Sequence, residues 1–479
     1  MCRVKKELIK SINYNESKYG TSNLLYKSLQ NLYNAFVFQH HKELYLVGGC
    51  VRDLLLDKKP KDYDLCTNAT PDEVKEIIQS IRLKSFDSGI KHGTLTVIDN
   101  FFDLSYEITT YRVDGKYSDN RRPDEVTFTP SLEEDLKRRD FTINSFAYDF
   151  LNQELVMLDE TFLKDLELGI IKCVGDADTR FKEDALRMLR AIRFSAQLGY
   201  SIETETFNAI KRNADLIKNI SAERIRDELT KIICSDNPHM LEMLVVTGLH
   251  KFIIPELEDM LNCKQNNKYH YTDVLHHTFD VIKNLPKSNV RLRWSALFHD
   301  MGKPESLSVD EEDYEHFYGH ALLSADKVKK YSEILKFDND SFDFVYKIVK
   351  YHDKDITNMR KKTFKNLIND VGQDIFSDYL NFRQADALAH NLEFDETVLL
   401  SISKAKEQYK NILLYEEPMS IKDLVINGYD IMALGLVGKE IGEALNKCLA
   451  FVLENPDNNK KEILVDIIMK IIYNKDNQV

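Results

Sequence analysis

Two aspartates two residues apart, Asp62 and Asp64, follow a Gly-Gly turn in the segment ELYLVGGCVRDLLLDKKPKDYDLCT, residues 43–67. On a strand, residues two apart share a face, so the two carboxylates would converge and repel each other unless a cation lies between them. Mg²⁺ favours such hard oxygen ligands and keeps substrate phosphates in its shell. Two such ions activate an attacking hydroxyl and stabilise a leaving pyrophosphate. Leu44–Val47 reads as a strand, Gly48 and Gly49 as a tight turn, and VRDLLL as a helix start. That order puts backbone N–H groups, Gly49 among them, where a triphosphate would sit, and Arg52 adds a charge-assisted contact. Glu107, in YEITTYR, is a candidate third carboxylate on another predicted strand; its plain reading is an exposed strand glutamate.

A second constellation is EDALRMLRAIRF, residues 183–194. On one helix Asp184 and Arg187 are i,i+3 neighbours, the spacing of an ordinary surface salt bridge. The same pair has a chemical reading. Cytosine and adenine each present an exocyclic amine donor beside a ring-nitrogen acceptor. A carboxylate accepts from the amine while an arginine donates to the ring nitrogen. Guanine and uracil present the opposite order, so one Asp/Arg pair selects C and A without a template. Arg190 and Arg193 continue at steps of three, each falling about 60° short of a turn. Arg193 is therefore expected about half a turn from Asp184, in a phosphate or scaffold role.

Histidines and aspartates recur farther on. His277 lies in VLHHTFDVI, the adjacent His299 and Asp300 in ALFHDMGKP, and Asp386 in QADALAH. This ordered set resembles the metal ligands of the HD phosphohydrolases. Imidazole with carboxylate suits Mn, Fe, Ni or Co. His320, in HFYGHALLSA, and His352, in KYHDKD, are candidates for a second ion; Ala321 stands where many HD relatives have Glu.

The elements that must position these groups follow from pattern. Across 26–160, β-like runs (ELYLVGG, GTLTVID, YEITTYR, ELVMLD) alternate with helical segments; after 161 strand signals almost vanish and apolar residues take helical spacing. The expected class is α+β: a mixed α/β palm followed by a mostly α-helical neck, body and tail. The expected divisions are a polar leader over 1–25, the palm over 26–160, the neck over 161–235, connecting helices over 236–265, a His/Asp domain over 266–400 and a helical tail over 401–479. Pro255 with the polar run NCKQNNKYH, and Pro418 with the Gly-containing stretch beyond it, mark boundaries. With 479 residues, 43% hydrophobic and 30% charged, the chain is long enough for several cores. It has no apolar run of about 20 residues and no secretory signal. Its seven cysteines are scattered without C-x-x-C spacing, as in a reduced cytoplasmic protein. The net charge of −13 weighs against a simple electrostatic nucleic-acid binder unless basic residues cluster locally.

The strings LVGGCVRDLLL…PKDYDLCTNATP, HGTLTV, YEITTYRVDGKYSDNRRPDEVTF, LEEDLKRRDFTINSFAYD, VGDADTRFKEDALRMLRAIRFSAQLG and ISAERIRDEL occur in this order. Together they resemble the bacterial-type (class II) CCA-adding tRNA nucleotidyltransferases and their poly(A) polymerase relatives over roughly residues 44–230. The resemblance implies addition of C, C and A to the 3′ end of a tRNA from CTP and ATP, with Mg²⁺ on Asp62 and Asp64. It also implies base selection by Asp184 and Arg187, with Arg190 and Arg193 near the nucleotide, and a nucleotide contact from Arg139. Asp140 beside it orders the turn or the ribose, or caps a helix. The segment Tyr111–Pro123 resembles the loop that helps such enzymes switch from C to A. DLVINGYDIMALGLVGKEIGEALNKCL resembles their RNA-facing C-terminal part. Poly(A) synthesis or partial CCA addition remains open within this family, as does a metal phosphohydrolase with an RNA-binding N-terminal half. No membrane and no obligate protein partner are expected.

Overall fold

The computed structural model describes residues 1–6, 8, 24–115, 125–265, 272–311, 314–390 and 392–476. The chain divides into two compact units, Met1–Pro255 and Glu256–Val479.

The first unit is built on strands β1 (Cys2–Lys5), β2 (Tyr45–Val47), β3 (Tyr63–Thr67), β4 (Lys84–Gly89), β5 (Thr94–Asp99) and β6 (Leu104–Thr110). Two short strands, β7 (Arg112–Asp114) and β8 (Val126–Phe128), pair with each other, and β9 (Phe146–Asp149) and β10 (Glu154–Met157) return to the main sheet. The main sheet runs β1-β10-β9-β2-β3-β6-β5-β4, with a parallel pairing between β3 and β6. Alternation in β5 buries Leu95 and Val97, the period-two pattern of a half-covered sheet. Strands β9 and β10 lie deeper, with Phe146, Ala147, Tyr148, Leu155 and Val156 fully buried. Of these, Phe146, Leu155 and Val156 contribute about 1.5–3 kcal/mol each by burial. The stretch expected as a polar leader begins differently: Cys2–Lys5 forms an edge strand paired with β10, because its backbone completes that edge although CRVK is too short to show a period. Residues 9–23 of that stretch, residues 116–123 of the expected switching loop and most of the NCKQNNKYH run lie outside the described residues; the first part of the expected loop is strand β7, paired with β8.

Helices then carry the functional side chains. Helix α1 (Gly49–Leu55) follows β2 directly. Helices α2 (Ala177–Glu183) and α3 (Leu186–Leu198) meet at a two-residue joint, and α4 (Ala222–Ile233) packs on α3. Ten of the 13 residues of α3 are buried, Arg187 and Arg193 among them, so these arginines are held against protein rather than extended into solvent.

The second unit is almost wholly helical. Helices α5 (Val274–Asn284), α6 (Val290–Phe298), α7 (His320–Ile334), α8 (Asn339–Tyr351) and α9 (Phe376–Ala387) form its first part. Asp273, Asn289 and Asp338 cap α5, α6 and α8 by accepting backbone N–H bonds at 3.0, 3.2 and 2.8 Å, which fixes where each helix starts. Helices α10 (Lys439–Glu454) and α11 (Lys461–Asp476) share a separate apolar cluster of Ile431, Cys448, Val452, Leu464 and Ile468. Among the described residues no helix is long and apolar enough to cross a membrane. All seven cysteines are free thiols.

Candidate functional sites

Strand β3 carries Asp64, and Asp62 sits one residue before the strand rather than on it. Both still line one cleft of about 810 Å³. In the parallel β3–β6 register Glu107 stands directly opposite Asp64, so the two side chains share a face. Burial first, then the Glu107 and Asp62 charges, pushes the Asp64 carboxyl up to about 6 against the pull of Arg139. Glu107 itself is exposed and is not among the residues that line the cleft, as an ordinary strand glutamate would be; Asp62 and Asp64 are the hard oxygen donors there that fit a divalent cation. The cleft also answers the charge objection. Nine Lys and Arg residues line it against five Asp, so an acidic chain presents a locally cationic surface where a triphosphate would bind.

The Gly-Gly turn forms the cleft's floor. Gly48 has φ +73° and ψ −134°, a backbone conformation that side chains disfavour. A Cβ on it would also lie 3.1 Å from Arg139 Nη1. Arg139 in turn donates through Nη2 to Asp135 at 3.1 Å. Arg52 donates through Nη1 to Asn144 Oδ1 at 2.7 Å and through Nε to Asp53 at 2.9 Å. Asp140 is not a helix cap. Its Oδ1 accepts from the Phe141 N–H at 2.8 Å and from Asn144 Nδ2 at 3.3 Å, and its Oδ2 accepts from Arg190 Nε at 2.8 Å. Burial alone would raise Asp140, but the Arg190 guanidinium reverses the sign and holds it at about 2.

Asp184 and Arg187 both line the cleft, but not as an i,i+3 pair on one helix. Asp184 is the residue after α2, with φ −135° and ψ 103°, and α3 starts two residues later. The apolar spacing runs through both helices, so pattern alone did not reveal the break. Each side chain has partners on other parts of the chain. Arg187 donates through Nη1 to Glu183 at 2.5 Å and to the Arg180 carbonyl at 3.1 Å, and through Nη2 to the Arg138 carbonyl at 2.9 Å. Asp184 accepts from Arg224 of α4 at 2.8 and 3.3 Å. The half-turn drift expected for Arg193 assumed one continuous helix. With Asp184 off the helix, Arg193 lines the same cleft, over the Phe194 ring at 4.1 Å and 3.0 Å from Glu228. Burial and the Arg190 and Arg52 charges lower it to about 10 against the pull of Glu228. Sequence reasoning missed Arg224, Glu228 and Asn144. Their only signal was position inside ISAERIRDEL and RRDFTIN.

In the second unit, six residues from five chain segments converge. His277 lies in α5, His299 and Asp300 directly follow α6, His320 opens α7, His352 follows α8, and Asp386 lies in α9. His277 Nε2 is 3.1 Å from Asp386 Oδ1 and 3.7 Å from Asp300 Oδ2, and His299 Nε2 is 3.2 Å from that Oδ2. The other oxygen, Asp300 Oδ1, lies 3.4 Å from His320 Nε2 and 3.5 Å from His352 Nε2. One carboxylate thus faces two histidine clusters. His299, His320 and His352 place Nδ1 at 2.7, 2.8 and 2.7 Å from backbone carbonyls of Ala296, Phe317 and Val349. A carbonyl only accepts, so each Nδ1 is the donor, and Nε2 is the ring atom turned toward Asp300. His320 and His352 bring their Nε2 atoms to 3.1 Å, close enough to share a proton or to ligate one ion together. Burial pulls His277 down to about 4, and neighbouring imidazoles hold Asp386 well below the carboxylate range. This donor set fits metal ions. Sequence reasoning missed Lys303, whose Nζ lies 2.7 Å from Asp300 Oδ2, and His390, whose ring stacks on His277 at 5.1 Å.

Comparison with known proteins agrees with both halves. Residues 44–172 match the family of the Poly A polymerase head domain, 199–261 the probable RNA and SrmB-binding site of polymerase A, and 269–427 the HD domain. A CCA-adding enzyme of Ligilactobacillus salivarius is 33% identical over 450 residues, covering 90% of this chain and 94% of the relative. A CCA-adding enzyme of Lactobacillus helveticus is 52% identical over 190 residues, 40% of this chain and 46% of that protein. Among solved structures, the Bacillus stearothermophilus CCA-adding enzyme in complex with CTP aligns with a TM-score of 0.69 and 26% identity over 95% of this chain and 99% of that one. With identity sustained along nearly the whole of a full-length relative, and with the carboxylates and the arginine-lined cleft in place, the chain belongs to the CCA-adding enzyme family.

Proposed function

We propose that this protein adds C, C and A to the 3′ end of tRNA, joining the RNA 3′-hydroxyl to the α-phosphate of CTP or ATP with release of pyrophosphate. The observation that carries this reading is the shared cleft, which joins Asp62 and Asp64 to Asp184 and Arg187. Asp62 and Asp64 hold Mg²⁺, with Glu107 opposite; the metal, when bound, supplies a lowered hydroxyl pKa and charge compensation on the phosphates. The chain's own groups do the rest. The turn at Gly48 and Gly49 admits the triphosphate close to backbone, and Arg52 and Arg139 bring positive charge beside it. Asp184 accepts from the exocyclic amine of C or A, and Arg187 donates to the adjacent ring nitrogen. Arg190 and Arg193 frame the pocket through Asp140, Phe194 and Glu228. The cytoplasm, where tRNA matures beside reduced thiols, is the compartment this work requires. The test is incubation with a tRNA lacking its 3′ end and CTP, ATP or both. Ordered incorporation of C, C and A is expected; homopolymeric A tails without C would overturn the reading in favour of a poly(A) polymerase.

The bridging position of Asp300 supports a second activity in the other unit. His277, His299, Asp300 and Asp386 hold one transition metal ion (Mn, Ni, Co or Fe), and His320 and His352 with Asp300 hold another. Hydrolysis of a 2′,3′-cyclic nucleotide or a phosphomonoester in the presence of Mn²⁺ or Ni²⁺ is expected. Absence of turnover in metal-replete protein removes it.

A further inference from the structure

We propose that Arg224 is a positioning residue for base selection: it fixes the Asp184 carboxylate so that one acceptor site remains for the amine of C or A. This rests on the reading of Asp184 and Arg187 as the base-selecting pair.

Asp184 needs an external anchor because it belongs to neither helix. It follows α2, and its extended backbone angles leave the side chain on a joint rather than on a packed helix face. Two groups hold it. Its own Oδ1 accepts the Leu186 N–H at 3.1 Å, and Arg224 forks across both oxygens, Nη1 to Oδ1 at 3.3 Å and Nη2 to Oδ2 at 2.8 Å. A planar guanidinium set against a planar carboxylate fixes orientation as well as charge. A carboxylate offers about four lone-pair sites, and these N–H groups take about three. The remaining acceptor site matches one exocyclic amine, and a carbonyl oxygen from uracil or guanine finds no donor there.

Helix α4 supports the arrangement at a second point. Glu228 lies one turn beyond Arg224, on the same face, and contacts Arg193 at 3.0 Å. Two opposite charges on α4 therefore hold two opposite charges on the cleft wall. Glu228 is buried, so α4 serves as a fixed backing for the pocket.

The test compares Arg224→Met, Arg224→Lys, Asp184→Ala and the double variant Arg224→Met/Asp184→Ala. The readout is kcat and KM for CTP and for UTP on a tRNA lacking its 3′ end, with the thermal midpoint of each protein. Arg224→Met is expected to reduce the CTP-over-UTP preference roughly tenfold or more. Arg224→Lys, which keeps the charge and loses the fork, should fall between Met and wild type. The double variant should discriminate no worse than Asp184→Ala alone. An Arg224→Met enzyme that loses kcat equally for both nucleotides and keeps its preference overturns the proposal. If that variant fails to fold, a Lys variant with the wild-type preference overturns it instead. Undiminished preference in Asp184→Ala would defeat the base-selecting pair itself, a separate outcome.

Discussion

Asp140 shows how one side chain ties the Arg52 side of the cleft to its Arg190 side. It takes the Arg190 guanidinium on one oxygen and Asn144 on the other, and Asn144 in turn accepts from Arg52. Its carboxyl falls from 3.8 to about 2 despite burial. A depressed folded-state pKa means that the unfolded chain binds the proton more readily. The stabilisation is therefore complete above about pH 4, and it is lost as pH falls through about 2. A shift of this size corresponds to about 2 kcal/mol. Asp140→Asn should lower the unfolding free energy by about that amount at pH 6, measured by urea titration, and the gap to wild type should close toward pH 2. A gap independent of pH would assign the loss to packing. Residue type and order singled out Asp62, Asp64 and Arg52, and the family resemblance singled out Arg139; all four line the cleft. Arg224 and Asn144 did not stand out, because Arg224 meets Asp184 across 40 residues and Asn144 accepts from Arg52 across 92, contacts that leave no local pattern.

Element geometry decides which of these residues meet. Gly48 turns the chain from β2 into α1 with φ +73°, and Arg139 Nη1 occupies the space a Cβ would need. Gly48→Ala adds a strained backbone at about 1–3 kcal/mol and displaces that arginine. We expect kcat/KM to fall about tenfold or more for CTP and ATP alike, with the CTP-over-UTP preference kept, because the proposed reading sets the turn against phosphate rather than base. A selective loss of one nucleotide would contradict that placement. The strand–turn–helix order was legible because Leu44–Val47, Gly-Gly and VRDLLL each carry a distinct local signal. The α2–α3 joint was not. Apolar spacing continues across it, and the break shows only in the backbone angles of Asp184. The edge strand Cys2–Lys5 escaped for a related reason: four residues hold too little alternation, and its partner, Glu154–Met157, is 149 or more residues distant.

At the scale of the molecule, the nucleotidyltransferase cleft lies wholly within Met1–Pro255 and the histidine cluster wholly within Glu256–Val479. Such separation lets each site be removed without touching the ligands of the other. Asp62→Ala removes a carboxylate from the cleft, so nucleotide addition should drop by several orders of magnitude. Transition-metal binding should stay at its wild-type level, because every group of the second site remains. Asp300→Asn does the reverse. Asp300 presents Oδ2 to His277 and His299 and Oδ1 to His320 and His352, so one substitution weakens both clusters together. His320→Ala touches one of them. Bound Mn²⁺ should therefore fall from about two per chain to about one in His320→Ala and toward none in Asp300→Asn, measured by elemental analysis after dialysis. Addition of C, C and A by both variants should remain within about twofold of wild type, as for substitutions lacking shared partners. Equal metal loss in the two variants would mean that Asp300 does not divide its oxygens between two ions. Collapse of nucleotide addition in Asp300→Asn would mean that the second unit contributes to that reaction through more than its fold.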